Sequence, residues 1–223
     1  MTSTDWQTEL GRLGGAGLPV DAATPVVSQI LKLTGRDVGV VAAARLSGAP
    51  RPVELQVRRV LAGRYGQENF VALAVLEAPA VRGSATLRAG QLYTFARFFR
   101  DSPWWQKLFL LAALPLGIPL MLPGYVLVVG LATLAKRASG IWTYGSVATE
   151  PGFRARFVVE ARSRGEAQAA VPASLQRALV ESDGAVRVEL TPGRAVVERR
   201  LAGPELLAPF VRDVVSRLSA SVG

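Results

Sequence analysis

Cysteine and histidine are both absent from the chain. Without them there is no disulfide framework, no Cys/His zinc site, no thiol nucleophile, no imidazole haem ligand and no Ser-His relay. Lysine is scarce: Lys32, Lys107 and Lys136 are the whole set, so the basic excess of 26 Lys plus Arg over 17 Asp plus Glu, a net charge of +9, is nearly all arginine. The excess is spread along the chain, whereas a nucleic-acid footprint gathers on one element or face. Nucleic acid is therefore not an expected partner, and an anionic membrane surface is a better match. No basic region followed by an apolar stretch opens the sequence, so no secretory signal is expected. Walker A, GxSxG and HExxH motifs are also missing.

Half of the 223 residues are hydrophobic, and the mean hydropathy of +0.28 lies between soluble and polytopic membrane chains. The reason is local. Leu108 to Ala135 is a run of 28 residues without a charge, and about 18 already make a candidate membrane segment. As one helix it would measure roughly 42 Å, against a hydrocarbon core of roughly 30 Å. Pro115, Pro119 and Pro123, with Gly124 after the last, are expected to bend it. Its flanks are basic and aromatic: Arg97, Arg100, Trp104, Trp105 and Lys107 before it, Lys136, Arg137, Trp142 and Tyr144 after it. That is the pattern of residues at headgroup level. Asp101-Ser102-Pro103 reads as a helix start, with Ser102 as N-cap. Three readings compete: a helical hairpin or re-entrant element with both ends on one side, a single span parting the two halves, and a buried core helix of a soluble protein. Basic flanks on both sides lean towards two cytoplasmic ends.

The remaining chain predicts an α+β fold with antiparallel strands in two units. Residues 1–23, with Gly11, Gly14, Gly15 and Gly17, read as a flexible arm; GRLGGAG lacks the strand before it and the GK[ST] ending of a phosphate loop. Residues 24–101 read as a small meander-like unit. Thr24-Pro25 opens a short helix ended by Gly35. Strands follow around Val38–Leu46, Val53–Val57, Phe70–Leu76 and Ala85–Arg88. Leu92 to Phe99 is either an interfacial stretch or else an ordinary strand or a core-packing aromatic cluster. Residues 102–138 form the membrane segment with its flanks. Residues 139–223 read as β-α-β-β-α: a strand with Phe153, Ala155, Phe157 and Val159 on one side, a helix over part of Arg164 to Ser182 that Pro172 either breaks or starts, and strands joined at Thr191-Pro-Gly-Arg194. The unit closes with a helix carrying Leu207, Phe210, Val211, Val214 and Leu218 as one stripe.

The runs GSVATEPGFRARFVVEA, VPASLQRAL and VRVELTPGRAVVERR with the closing helix resemble the tail of uncharacterised bacterial membrane-associated proteins, over the last third of the chain. The resemblance implies a membrane-associated protein and carries no catalytic residues.

Asp37, Glu54, Glu68, Glu77, Glu160 and Glu189 lie near expected strands, none with a second acid at a converging spacing. Glu160 and Glu189 are expected to face solvent opposite arginines. The expectation is a non-enzymatic protein anchored at the bacterial inner membrane, without cofactor, metal or catalytic residue, presenting an α+β binding or assembly surface. Its partner is the lipid bilayer. Two alternatives stand beside it: a membrane-complex subunit packing its bent segment against a partner protein or a second copy, and a carboxylate-dependent enzyme whose two acids meet near Trp104 or Trp142.

Overall fold

A computed structural model of the chain describes residues 3–26, 36–46, 51–62, 67–90, 96, 99–100, 102–108, 130–131, 133–182 and 186–221. Among these residues, nine strands make one sheet in which every pairing is antiparallel. The strands are β1 (Gly15–Gly17), β2 (Arg36–Leu46), β3 (Val53–Ala62), β4 (Gln67–Ala78), β5 (Ala85–Ala89), β6 (Trp142–Thr143), β7 (Phe157–Ala161), β8 (Arg187–Thr191) and β9 (Gly193–Leu201). Their order across the sheet is β1-β2-β3-β4-β9-β8-β5-β7-β6.

The α+β class is as expected, but the sheet runs through the boundary expected between the two units. β4 pairs with β9 from Phe70↔Leu201 to Ala78↔Gly193. β5, expected in the N-terminal meander, lies between β8 and β7: Leu87 faces Val188 on one side and Val159 on the other. The hairpin β8–β9 is thus wedged between two strands that are neighbours in sequence. Alternation identifies a strand and its buried side, but says nothing of its partner.

Helices cover one face: α1 (Ser3–Arg12), α2 (Phe153–Arg156), α3 (Arg164–Ala170) and α4 (Ala173–Glu181). The closing helix is continuous through α5 (Leu207–Phe210), a π turn (Val211–Val215) and α6 (Ser216–Ser221). Val53, Leu55 and Val57 of β3 point into the core beneath these helices, while Glu54, Gln56 and Arg58 point to the other face. β4 is apolar on both faces. Phe70, Ala72, Ala74 and Leu76 join the main core; Val71 and Leu73 join a small cluster on the opposite face with Val26, Val60 and Val196. Its continuous apolar run therefore belongs to a central strand.

The N-terminal arm is a correction. Ser3–Arg12 is helical, with Trp6 and Leu10 fully buried four residues apart, and the Trp6 ring lies 5.0 Å from that of Phe70. The glycines after it serve a helix-to-strand reversal. Gly14, at φ +73°, donates to the Gly11 carbonyl (3.0 Å), and β1 then pairs with β2. A Cβ on Gly15 would stand 2.8 Å from that of Ala44. Two apolar residues on a short polar helix give little periodic signal, and the glycines outweighed it.

The C-terminal elements largely match expectation. Pro172 separates α3 from α4, Gly193 takes φ +76° in the tight turn, and Leu207, Phe210, Val214 and Leu218 are buried. One element differs: Phe153–Arg156 is a helical turn following Gly152, and the strand starts only at Phe157. Phe153 still reaches the core, stacking on Phe157 with ring centroids 5.3 Å apart.

Most of the expected membrane segment, including Pro115, Pro119, Pro123 and Gly124, lies outside the described residues, as do Arg97, residues 27–35 of the expected short helix and most of Leu92 to Phe99. Among the described residues no helix is long and apolar enough to cross a membrane.

Candidate membrane interface

Eight large apolar side chains are exposed among the described residues, and six of them flank the uncharged run: Trp104, Trp105, Leu108, Leu131, Leu134 and Trp142. Trp104 is 73 % exposed. Exposed apolar side chains of this size are candidates for an interaction surface where they form a contiguous patch.

The upstream flank begins a helix at residue 104, where the amides of Gln106 and Lys107 donate to the Pro103 carbonyl at 3.1 and 3.2 Å. Pro103 thus holds the cap position expected of Ser102, one residue earlier. Lys107 donates to the Arg100 carbonyl (3.1 Å) and sits 5.9 Å from the centre of the Phe99 ring.

The downstream flank is locked to the sheet edge. Residues 133–138 are helical and stop at Gly140, φ +71°. The Gly140 amide donates to Arg137 and that of Ile141 to Lys136, both at 3.0 Å, a Schellman closure. The chain then enters β6, with Trp142 opposite Ala161 and Thr143 opposite Glu160. Tyr144 donates its amide to Val159 (2.9 Å). The Arg137 guanidinium lies over the Trp142 ring at 5.6 Å, a cation–π contact that fixes both groups.

Glu160 secures the flank. It projects from β7 to the face opposite the helices and accepts from Lys136 Nζ at 2.6 Å and from Arg88 Nε at 2.8 Å, both on Oε1. The carboxylate meets its arginine as expected, but it is buried rather than solvent-facing, at 7 % exposure. The sequence could not reveal this, because Arg88 reaches it only through the β5–β7 pairing. Burial alone would raise the Glu160 pKa; the hydrogen bonds and charges of Lys136 and Arg88 outweigh that and hold it below its ordinary value. On the same face burial also acts against Glu54, and the hydroxyl and amide of Thr24, at 2.5 and 2.7 Å, with Gln56 and Arg45, lower its pKa too.

Both groups have depressed folded-state values, so their contribution to stability is complete above the unfolded value and is lost as pH falls through the folded one. Stability measured by denaturant titration is expected to be level above about pH 6 and to fall from about pH 4.5 downward. Glu160→Gln should flatten part of that fall.

Two cavities lie beside Trp142 and the strand that carries Glu160. A cavity of about 210 Å³ lined by Arg88, Lys136, Arg137, Trp142 and Thr143 holds Glu160 as its one acid among the described residues. Glu166 and Glu189 share a neighbouring cavity of about 350 Å³ with Glu160, and in the register Thr86 stands between Glu189 and Glu160. Glu160 is bound to two cations that hold its pKa below the ordinary value, which disfavours the protonated form a general acid uses. Among the described residues no group of three acids is placed to hold a metal ion.

The structure therefore brings Lys136, Arg137, Trp142 and Tyr144 together at the β6 edge, and places Arg100, Trp104, Trp105 and Lys107 on the other flank. Arg88, Glu160, Leu131 and Leu134 lie beside these residues in space or in sequence and were missed as candidates. The two leucines were legible as part of the apolar run; Arg88 and Glu160 were not. Comparison of the chain with family models, curated proteins and solved structures gives no match.

Proposed function

We propose that the protein is a non-enzymatic membrane-docked protein, held at the bacterial inner membrane by residues 102–138 with both ends on the cytoplasmic side. Its sheet-and-helix body would then present a binding or assembly surface beside the bilayer. The observation that carries this reading is the cluster of exposed Trp and Leu side chains at both ends of an uncharged 28-residue run.

Topology favours the hairpin or re-entrant form over a single span. The chain leaves the sheet from β5 and returns to it at β6, two strands away, a separation of roughly 10 Å across the sheet. A single crossing that parted the halves would have to split the β4–β9 pairing as well. Two passes through the uncharged run leave about 14 residues each, roughly 21 Å as helix against a core of roughly 30 Å. Each pass would therefore stop short of the far side of the core.

The lack of native cysteine makes the test direct. Single cysteines at Ser3 and Ala220, both exposed, are labelled in a bacterial host with a membrane-impermeant maleimide before and after permeabilisation. Membranes are washed with alkaline carbonate in parallel. Both ends are expected to label only after permeabilisation, and the protein to stay with the washed membranes. Labelling of one end alone in intact cells would overturn the one-sided topology. Recovery of the full chain in the soluble fraction without detergent would overturn membrane docking.

A further inference from the structure

We propose that the cavity between the 133–138 helix end and the β6–β7 edge receives the phosphate of an anionic phospholipid headgroup, with Arg137 and Lys136 as its cations. The inference rests on the membrane docking proposed above and adds the lipid class.

Charge is the first argument. Among the described residues, three cations, Arg88, Lys136 and Arg137, line the cavity against the single carboxylate of Glu160. Glu160 can neutralise one of them, so the site keeps a net positive charge that a zwitterionic headgroup does not match and a net anionic one does. Geometry is the second. Arg137 is held over Trp142 rather than free to sweep through solvent, and Lys136 is fixed by its 2.6 Å contact with Glu160. Both cations are therefore pre-positioned, so little side-chain freedom is lost on binding. Surroundings are the third argument. Leu134 precedes Arg137 by three residues on the same helical stretch and is exposed, which puts an apolar side chain on the same side as the charge. Trp142 is exposed beside them. A freely diffusing phosphate gains nothing from those apolar groups, whereas a headgroup joined to acyl chains buries them.

The test uses the full chain and two sets of large unilamellar vesicles, phosphatidylcholine alone and phosphatidylcholine doped with phosphatidylglycerol, in a co-flotation assay at low and high salt. Tighter, salt-sensitive binding to the doped vesicles is expected. Arg137→Gln and Lys136→Gln should each weaken binding to the doped vesicles by about fivefold, and more than they weaken binding to phosphatidylcholine. Arg212→Gln, on the closing helix, removes the same charge far from the cavity and should leave both unchanged. Inorganic phosphate should compete no better than chloride at matched ionic strength.

Equal binding to the two vesicle types overturns the lipid assignment and leaves membrane docking standing. The same holds if Arg212→Gln costs as much as Arg137→Gln, which would reduce the effect to overall charge. Specific competition by inorganic phosphate would reassign the site to the free ion. Absence of binding to either vesicle overturns this inference and the docking reading together.

Discussion

Trp6→Ala is expected to lower the stability of the whole protein by about 3–5 kcal/mol, the usual cost of emptying a fully buried aromatic site. For a chain of this size the corresponding fall in melting temperature is roughly 6–20 °C. Trp6 is wholly buried and rests against Phe70 of the central strand β4, so the loss reaches the middle of the sheet rather than a fraying end. Gln7→Ala, one residue on and exposed, should change stability by less than about 0.5 kcal/mol. Chemical unfolding of the full chain in mild detergent, followed by far-ultraviolet circular dichroism, reads both variants. If Trp6→Ala unfolds at the wild-type midpoint, the first helix is not part of the cooperative fold.

Gly83→Ala should be the most damaging single-methyl change in the loop between β4 and β5. A Cβ at residue 83 would fall on the Glu166 carbonyl oxygen, 3.0 Å from the Ala170 amide and 3.1 Å from the Ala169 Cβ. These are backbone and short side-chain atoms of α3, which cannot swing aside. The neighbouring Arg82 amide donates to Ala169 at 3.0 Å and holds the loop against that helix. Either α3 lifts from β5 and β7 or the loop loses its contact, at a cost of about 1–3 kcal/mol. The same unfolding measurement detects it, with Gly165→Ala as comparison, since a Cβ there meets no atom within 4 Å. A Gly83→Ala midpoint equal to that of Gly165→Ala would show that the loop gives way freely.

What the sequence carried well was periodicity. The two-residue alternation of Val53, Leu55 and Val57, the continuous run in β4, the Pro-Gly turn before β9 and the apolar stripe of the closing helix are local patterns, and each maps onto one element. Pairing is not local. Nothing in Ala85–Ala89 states that its neighbours are in residues 157–160 and 187–190, so the expected boundary between units fell through the middle of a sheet. The candidate site divides in the same way. Trp104, Trp105, Trp142 and the basic residues beside them were visible because composition alone marks a membrane flank. The Glu160 contacts that fix Lys136 were hidden, because they depend on β5 lying against β7. The N-terminal helix was hidden for another reason: its stability comes from two side chains meeting a core built by strands far along the chain, and four glycines nearby suggested freedom.

The wedge of β8–β9 between β4 and β5 also sets an order of events during synthesis. The hairpin that joins the two parts of the sheet leaves the ribosome after both of the strands it pairs with, so β4 and β5 each wait with a bare edge until residues 187–201 have been made. The uncharged run from Leu108 to Ala135 emerges well before that. Contacts of such long sequence separation close slowly, and bare strand edges invite pairing with the wrong chain. A protein whose apolar segment has already engaged a bilayer would complete its sheet there, each copy kept apart from its neighbours while the centre is still open. A chain truncated before β8 would keep both edges exposed and aggregate.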